Sequence, residues 1–283
     1  MMQTIVTIEE LRNFRTAVGT QSLGFVPTMG ALHAGHISLT KLSQMHNQKT
    51  IVSIFVNPRQ FGRNEDYSKY PRTLDTDIIL LEKAGVDAVY LPSTNDIYPE
   101  GFQTYVVNDY RSSDLCGKSR PDHFRGVLTV VLKLLHQVTP STAFFGKKDF
   151  QQWHLIDQMV RDFDLPIKIT GAPIVREENG LAMSSRNQYL KQDERKNAGL
   201  IFEALTKAKK LFDEGERGTE PMIKKFTNSI AKEPQFALEY AEIRDAKSLA
   251  PFDRTISAPA VFLVALRYGG VRLIDNLELT AKT

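Results

Sequence analysis

Short apolar runs alternate with stretches of helical spacing through the first two-thirds of the chain. Residues 23–27 read as a buried strand, and 35–49, with Ile37, Leu39, Leu42 and Met45 near helical spacing, as the helix behind it. The β-branched run at 51–56, stopped by Asn57 and Pro58, predicts a second strand. Residues 73–84 predict a helix whose Asp75, Asp77 and Glu82 suit a solvated face. A strand at 88–91, a helix at 125–137, a strand at 142–145, a helix at 150–163 and a strand at 167–170 complete the series. Trp153, on the last of these helices, is expected in the core. Strands that alternate with helices imply βαβ units. The expected fold is therefore α/β: a Rossmann-like, mainly parallel sheet with helices on both faces. Such sheets bind ligands at the carboxyl ends of their strands. The loops after Val26, Val56, Phe145 and Thr170 should then lie along one edge.

Beyond about residue 176 the pattern changes. Residues 192–214 predict one long charged helix and 220–232 a second. Strands follow at 237–243, 260–268 and 271–274, the last two joined by a tight hairpin at Gly269 and Gly270. Two domains are expected: 1–175, which binds nucleotide and acid, and 176–283, a smaller α+β lid.

Composition narrows the class. The chain has 283 residues, 42% hydrophobic and 24% charged, an ordinary globular mixture. Its only cysteine, Cys116, rules out an intrachain disulfide and a four-thiolate zinc site, and no base near it in sequence suggests a nucleophile. The balance of 36 basic and 33 acidic residues is too even for a nucleic-acid-binding surface. The longest apolar run, 258–266, falls well short of the roughly 20 residues that span a bilayer. Glu9, Glu10 and Arg12 interrupt the amino-terminal stretch where a secretory signal would be apolar. A cytoplasmic protein without membrane contact is expected.

Four polar clusters fall at predicted strand ends or at the domain junction. Pro27-Thr-Met-Gly-Ala-Leu-His-Ala-Gly-His36 runs from the first strand into the first helix. A helix amino terminus favours phosphate. Gly30 and Gly35 let a ligand approach the backbone, and His33 and His36 can donate to phosphate oxygens. Asn57 and Gln60, after the second strand, can each donate and accept, which suits a hydroxylated acid. Lys147 and Lys148 could neutralise phosphate charge, and Asp149 could hold magnesium or cap the next helix. Ser184, Ser185 and Arg186 form a compact donor set for a polyphosphate. Each cluster alone could be an ordinary polar turn. Together they point to an α/β enzyme that takes a nucleoside triphosphate and a small hydroxylated acid. His46, His136 and His154, on predicted helices, read as surface or satisfied structural residues.

These clusters, with Arg120-Pro-Asp-His-Phe-Arg-Gly-Val127, Gly180-Leu-Ala-Met-Ser-Ser-Arg-Asn187 and Arg272-Leu-Ile-Asp-Asn276, resemble the pantothenate synthetase (pantoate–β-alanine ligase) family over nearly the whole chain. The His-x-Gly-His element recurs in nucleotidyltransferases and class I aminoacyl-tRNA synthetases; the full ordered set is far more specific. Two positions depart from the family habit: Lys147, where an acidic or amide residue is usual, and Asp122, where glycine is usual.

The resemblance implies ATP-dependent condensation of (R)-pantoate with β-alanine through pantoyl adenylate, releasing AMP and pyrophosphate. It implies ATP contacts from Met29, Gly30, Ala31, Leu32, His33, Ala34, Gly35, His36, Gly146, Lys147, Lys148, Asp149, Val175, Met183, Ser184, Ser185 and Arg186. Of these, His36 (as the acid), His33 and Lys148 would be catalytic, and Val175 would meet adenine through its backbone. It places Gln60, Gln152 and Asn57 at pantoate, Gln60 also at β-alanine, and Asp149 at magnesium or the ribose. It also implies a homodimer. Two other readings share parts of the pattern. A coenzyme-forming adenylyltransferase would use the histidines without the amides; a tRNA-binding relative would need a more basic surface than this chain has.

Overall fold

The computed structural model describes residues 1–63 and 65–280. The chain starts with β1 (Gln3–Ile5) and α1 (Ile8–Val18), neither of which the apolar pattern marks. The helix nonetheless carries a signal: Thr7 accepts from Glu10 N at 3.1 Å while Glu10 accepts from Thr7 N at 3.1 Å. That reciprocal pair is the capping box encoded by Thr-x-x-Glu.

The expected series then follows as β2 (Leu23–Thr28), α2 (Ala34–His46), β3 (Lys49–Ile54), α3 (Leu74–Lys83), β4 (Ala88–Tyr90) and the short α4 (Thr94–Ile97) and α5 (Cys116–Ser119). Next come α6 (His123–Val138), β5 (Thr142–Gly146), α7 (Phe150–Asp162) and β6 (Lys168–Ala172). The six strands form one parallel sheet in the order β1-β4-β3-β2-β5-β6.

Strand alternation sends side chains to two faces. Val26, Val52, Val89 and Phe144 pack with Leu39 of α2 and Leu81 of α3. Phe25, Ile51 and Tyr90 have the opposite parity, and the Tyr90 hydroxyl donates to Gln137 of α6 at 3.1 Å. Helices therefore cover both faces, as expected.

The chain reverses its direction across the sheet between β2 and β5. Their pairing is confined to Gly24–Thr142 and Phe25–Ala143. Pro27, further along β2, has no N–H for a neighbour. The carboxyl ends of β2 and β5 thus part at the switch point, where the turn starting at Met29 and residues 146–147 emerge.

The chain divides into two compact units: Met1–Lys147 with Gln151–Pro173, and Lys148–Phe150 with Ile174–Thr283. The second unit holds α8 (Gln192–Asn197), α9 (Leu200–Asp213), α10 (Thr219–Ile230) and the antiparallel sheet β7 (Ala237–Asp245), β8 (Ala260–Tyr268) and β9 (Val271–Leu279). Phe212, Met222 and Phe226 of the helices pack on Phe262, Val264 and Leu273 of the sheet. Gly269 and Gly270, both at positive φ (55° and 75°), close β8 onto β9, the backbone that a two-residue hairpin requires.

Several expectations change. The single long helix at 192–214 is two helices. The Asn179 amide donates to the carbonyls of Arg195 (2.8 Å) and Lys196 (3.1 Å), which caps α8 before Gly199. Strand β9 runs on to Leu279, because the polar pair Asp275 and Asn276 is buried with partners instead of ending the strand. Trp153 is half-buried and not core; the Lys147 ammonium stands 5.2 Å from its ring centroid. Asp77 is not solvated: it is 2% exposed. Asp122 sits at φ 65°, in the left-handed region, which explains why glycine suits that position.

Candidate active site

In the first unit the site grows from the turn after β2. Gly30 has φ +81° and Ala31 φ 50°, so two consecutive residues are left-handed and the chain bends sharply into α2. Thr28 Oγ1 donates to Ser53 O at 2.7 Å and accepts from Gly30 N at 3.2 Å. The buried carboxylate of Asp77, from the first turn of α3, accepts from Ala31 N (2.9 Å), Leu32 N (2.8 Å) and Thr73 Oγ1 (3.2 Å). Ala31 and Leu32, both expected at ATP, thus have their N–H groups bonded to Asp77.

Asp77→Ala is expected to cost about 2–4 kcal/mol of stability, because two inward-facing donors lose their acceptor. Urea unfolding measures this, and a loss below about 1 kcal/mol means that another contact holds the turn.

His33 and His36 cap α2 reciprocally. His33 Nδ1 accepts from Gly35 N (3.1 Å), and His36 Nδ1 accepts from His33 N (3.3 Å). The ring centroids are 4.1 Å apart. A ring nitrogen that accepts from an N–H carries no proton, so each neutral imidazole has its hydrogen on Nε2. The pair occupies the positions usually held by Ser or Thr and by Glu or Gln in a capping box. This is the helix start the sequence marks with His33 in place of a hydroxyl residue. Ala34 and Gly35 form the first turn of α2.

Beside this turn, Gln60 Nε2 donates to Met29 Sδ at 3.0 Å, joining the second cluster to the first. Asn57 is 1% exposed. Its Oδ1 accepts from Tyr98 OH (2.8 Å) and Arg59 N (3.2 Å), and its Nδ2 donates to Gln60 Oε1 (3.0 Å) and Gly126 O (3.1 Å). Those four bonds use the full capacity of the amide. Asn57, expected at pantoate, is hydrogen-bonded to Gln60, the other amide of that cluster. Burial pushes the Tyr98 hydroxyl up to about 12 against the pull of Arg59 and Asn57, so it stays a donor. A cavity of about 420 Å³ opens at Met29 and Gly30, with Phe55, Tyr67, Arg72 and Ser93 in its walls, a size suited to a small organic molecule.

Gly146 ends β5, and Lys147 follows it over Trp153. Gln152 is half-buried on the first turn of α7. Its neighbour Gln151 is buried, donates to Arg111 O and Asp114 O (both 2.8 Å) and accepts from Cys116 N (3.0 Å). Cys116 lies in α5, buried.

In the second unit, Lys148 O accepts from Asn276 Nδ2 at 3.0 Å. Its ammonium is 3.8 Å from the Asp149 carboxylate, with the two side chains 20% and 47% exposed. The neighbouring Asp275 grips Arg176 through two bonds, 2.6 and 2.9 Å. Burial pushes the Asp275 carboxyl up, and Arg176 opposes the shift. Val175 O accepts from Met183 N at 3.0 Å, so 175–183 forms a narrow hairpin. Ser184 Oγ caps the 3₁₀ turn Ser185–Tyr189 by accepting from Arg186 N at 3.3 Å. Asp77, Asn276 and the 120–126 segment play parts that residue type alone does not assign. The sequence signals for Asn276 are the adjacent polar pair Asp275 and Asn276 within β9 and its place in the Arg272–Asn276 motif.

A parallel α/β sheet whose switch point carries a mutually capped His-x-Gly-His turn defines a nucleotide-binding α/β enzyme. The family model "Pantoate-beta-alanine ligase" matches residues 3–278, and the chain belongs to that family. It is 45% identical over 278 residues to a pantothenate synthetase of Thermosipho africanus, covering 98% of this chain and 99% of the relative. A crystal structure of pantothenate synthetase from Thermus thermophilus superposes with TM-score 0.93 at 41% identity, covering 98% and 99% of the two chains. A pantoate-beta-alanine ligase from Francisella tularensis, complexed with beta-gamma ATP and beta-alanine, superposes with TM-score 0.82 at 37% identity, covering 99% and 98%.

Proposed function

We propose that this chain condenses pantoate with β-alanine at the expense of ATP, through pantoyl adenylate. One observation carries the reading: His33 and His36 cap α2 through their Nδ1 atoms, at the end of the turn that starts at Met29, whose Sδ accepts from Gln60 Nε2.

In the first step a pantoate carboxylate oxygen attacks the α-phosphorus and pyrophosphate leaves. A carboxylate is already a nucleophile, so alignment and charge stabilisation suffice and no covalent enzyme intermediate is needed. Nε2–H of His36 and His33 donate to phosphate oxygens as charge builds on them. Lys148, with Ser184, Ser185 and Arg186, neutralises the departing phosphates. Val175 meets adenine, and Met29, Gly30, Ala34, Gly35, Gly146, Lys147 and Met183 line the nucleotide. Gln60 and Gln152 grip pantoate. In the second step the β-alanine nitrogen, steered by Gln60, attacks the acyl carbon; AMP leaves, and the nitrogen loses a proton.

Magnesium belongs to the reading. Among the described residues, no group of three or more His, Cys, Asp or Glu could hold a metal. Magnesium commonly binds through one or two carboxylates plus substrate phosphates, and the half-exposed Asp149 beside Lys148 fits that donor set. When bound, the ion would offset phosphate charge. No helix among the described residues is long and apolar enough to cross a membrane. A cytoplasmic homodimer completes the proposal, and sedimentation of the purified chain tests its assembly.

An AMP-release assay with ATP, magnesium, pantoate and β-alanine, each omitted in turn, tests the whole scheme. AMP and pantothenate should form in equal amounts only in the complete mixture. Sustained AMP release without β-alanine would instead mark a hydrolase, and sustained pyrophosphate release without AMP a nucleotidyltransferase. Gln152→Ala is expected to weaken pantoate binding by about 1–3 kcal/mol, the cost of a lost polar partner. An unchanged pantoate titration by calorimetry removes Gln152 from the site.

A further inference from the structure

The motif at 120–127 has no part in the reaction as described, yet it closes around Gln60. Arg120 Nε and Nη2 pair with both oxygens of Glu65, at 2.7 and 2.6 Å. Burial alone would raise the Glu65 carboxyl; the hydrogen bonds and charge of Arg120 outweigh it and hold Glu65 below its usual range. Arg120 Nη1 stands 3.0 Å from His123 Nε2. A guanidinium only donates, so Nε2 accepts and the ring hydrogen lies on Nδ1. That Nδ1–H points at Gln60 O, 2.8 Å away, and Arg120 Nη2 reaches the same oxygen at 3.4 Å. Gly126 completes the fit: a Cβ there would lie 2.1 Å from Arg59 O.

Gln60 needs such support. It ends a 3₁₀ turn of three residues, Pro58–Gln60, too short to hold a side chain by itself. Its amide is tied to Asn57 and Met29, and its main chain is tied to His123 and Arg120. We infer that Glu65, Arg120 and His123 form a positioning device that fixes the tautomer of His123 and, through its Nδ1–H, the backbone from which Gln60 reaches pantoate. The inference rests on the proposed role of Gln60.

Two substitutions separate the arms of the imidazole. Asn at 123 places an amide near the Nδ1 position and keeps the bond to Gln60; Gln at 123 places one near Nε2 and keeps only the Arg120 side. His123→Gln is expected to raise the pantoate KM about tenfold, the scale of one lost buried hydrogen bond, with the ATP KM within about twofold. His123→Asn should stay near the wild type. In Gln60→Ala, adding His123→Gln should cause no further loss, because the two act as one unit. Equal effects of the two His123 variants, or additive losses in the double variant, overturn the inference. Should His123→Gln fail to fold, Arg120→Lys decides: one ammonium cannot serve Glu65, His123 and Gln60 together, so the pantoate KM rises again. A normal pantoate KM in that variant is equally fatal. If Gln60→Ala raises the pantoate KM and the network variants do not, the device alone fails. If Gln60→Ala changes nothing, the assigned role of Gln60 falls as well.

Discussion

His36→Ala is expected to slow adenylate formation by about 10²–10⁴-fold, the usual scale for a lost acid or transition-state donor. The same change removes the acceptor that caps His33 N, so a stability loss of about 0.5–2 kcal/mol should accompany it. The two effects can be separated. Glutamine is a usual residue at this capping-box position, and its Oε1 can replace Nδ1 as the acceptor. His36→Gln should therefore unfold like the wild type in urea yet remain slow in ATP–pyrophosphate exchange driven by pantoate. Near-normal exchange in His36→Gln would mean that an amide N–H donor suffices there, and near-normal exchange in His36→Ala would leave His36 with a purely structural role.

Lys148→Ala is the second large effect. Asn276 pins the main chain at Lys148, and a side chain 20% exposed leaves the ammonium accessible to a ligand. Removing one fixed cation from a developing pyrophosphate should lower kcat/KM for ATP by about 10²–10³-fold. The β-alanine KM should change far less, because the second step releases AMP and moves no charge onto the β- and γ-phosphates. Steady-state kinetics with each substrate varied checks the split. Equal losses on ATP and β-alanine would show that Lys148 supports the fold of its loop and does not act on the triphosphate.

The two variants test residues of different legibility. The His33–His36 pair is visible in the sequence as a polar turn after an apolar strand, because strand, glycine turn and helix are local. Its tautomers are not, since these depend on which backbone N–H each ring meets. Asn57 shows the limit from the other side. Its residue type suggests a substrate contact, but Tyr98 and Gly126, 41 and 69 residues away in sequence, take up the amide. Asp77 departs from expectation because a carboxylate in the first turn of a helix usually faces water; here the Gly30–Ala31 turn packs directly on it.

The alternation of strands and helices from β2 to β6, the parallel sheet they build and the polar turns that follow β2, β3 and β5 are legible in the order of the amino acids. Apolar periodicity and strand–helix alternation are properties of neighbouring residues and need no knowledge of the rest of the chain. Which polar side chains find partners inside the protein emerges only in the folded chain: Asp77 under the Gly30–Ala31 turn, Asn57 and His123 behind Gln60, Asn276 behind Lys148. A buried polar group is stable only where a distant segment supplies its hydrogen bonds, and residue type and spacing do not say which segment that will be.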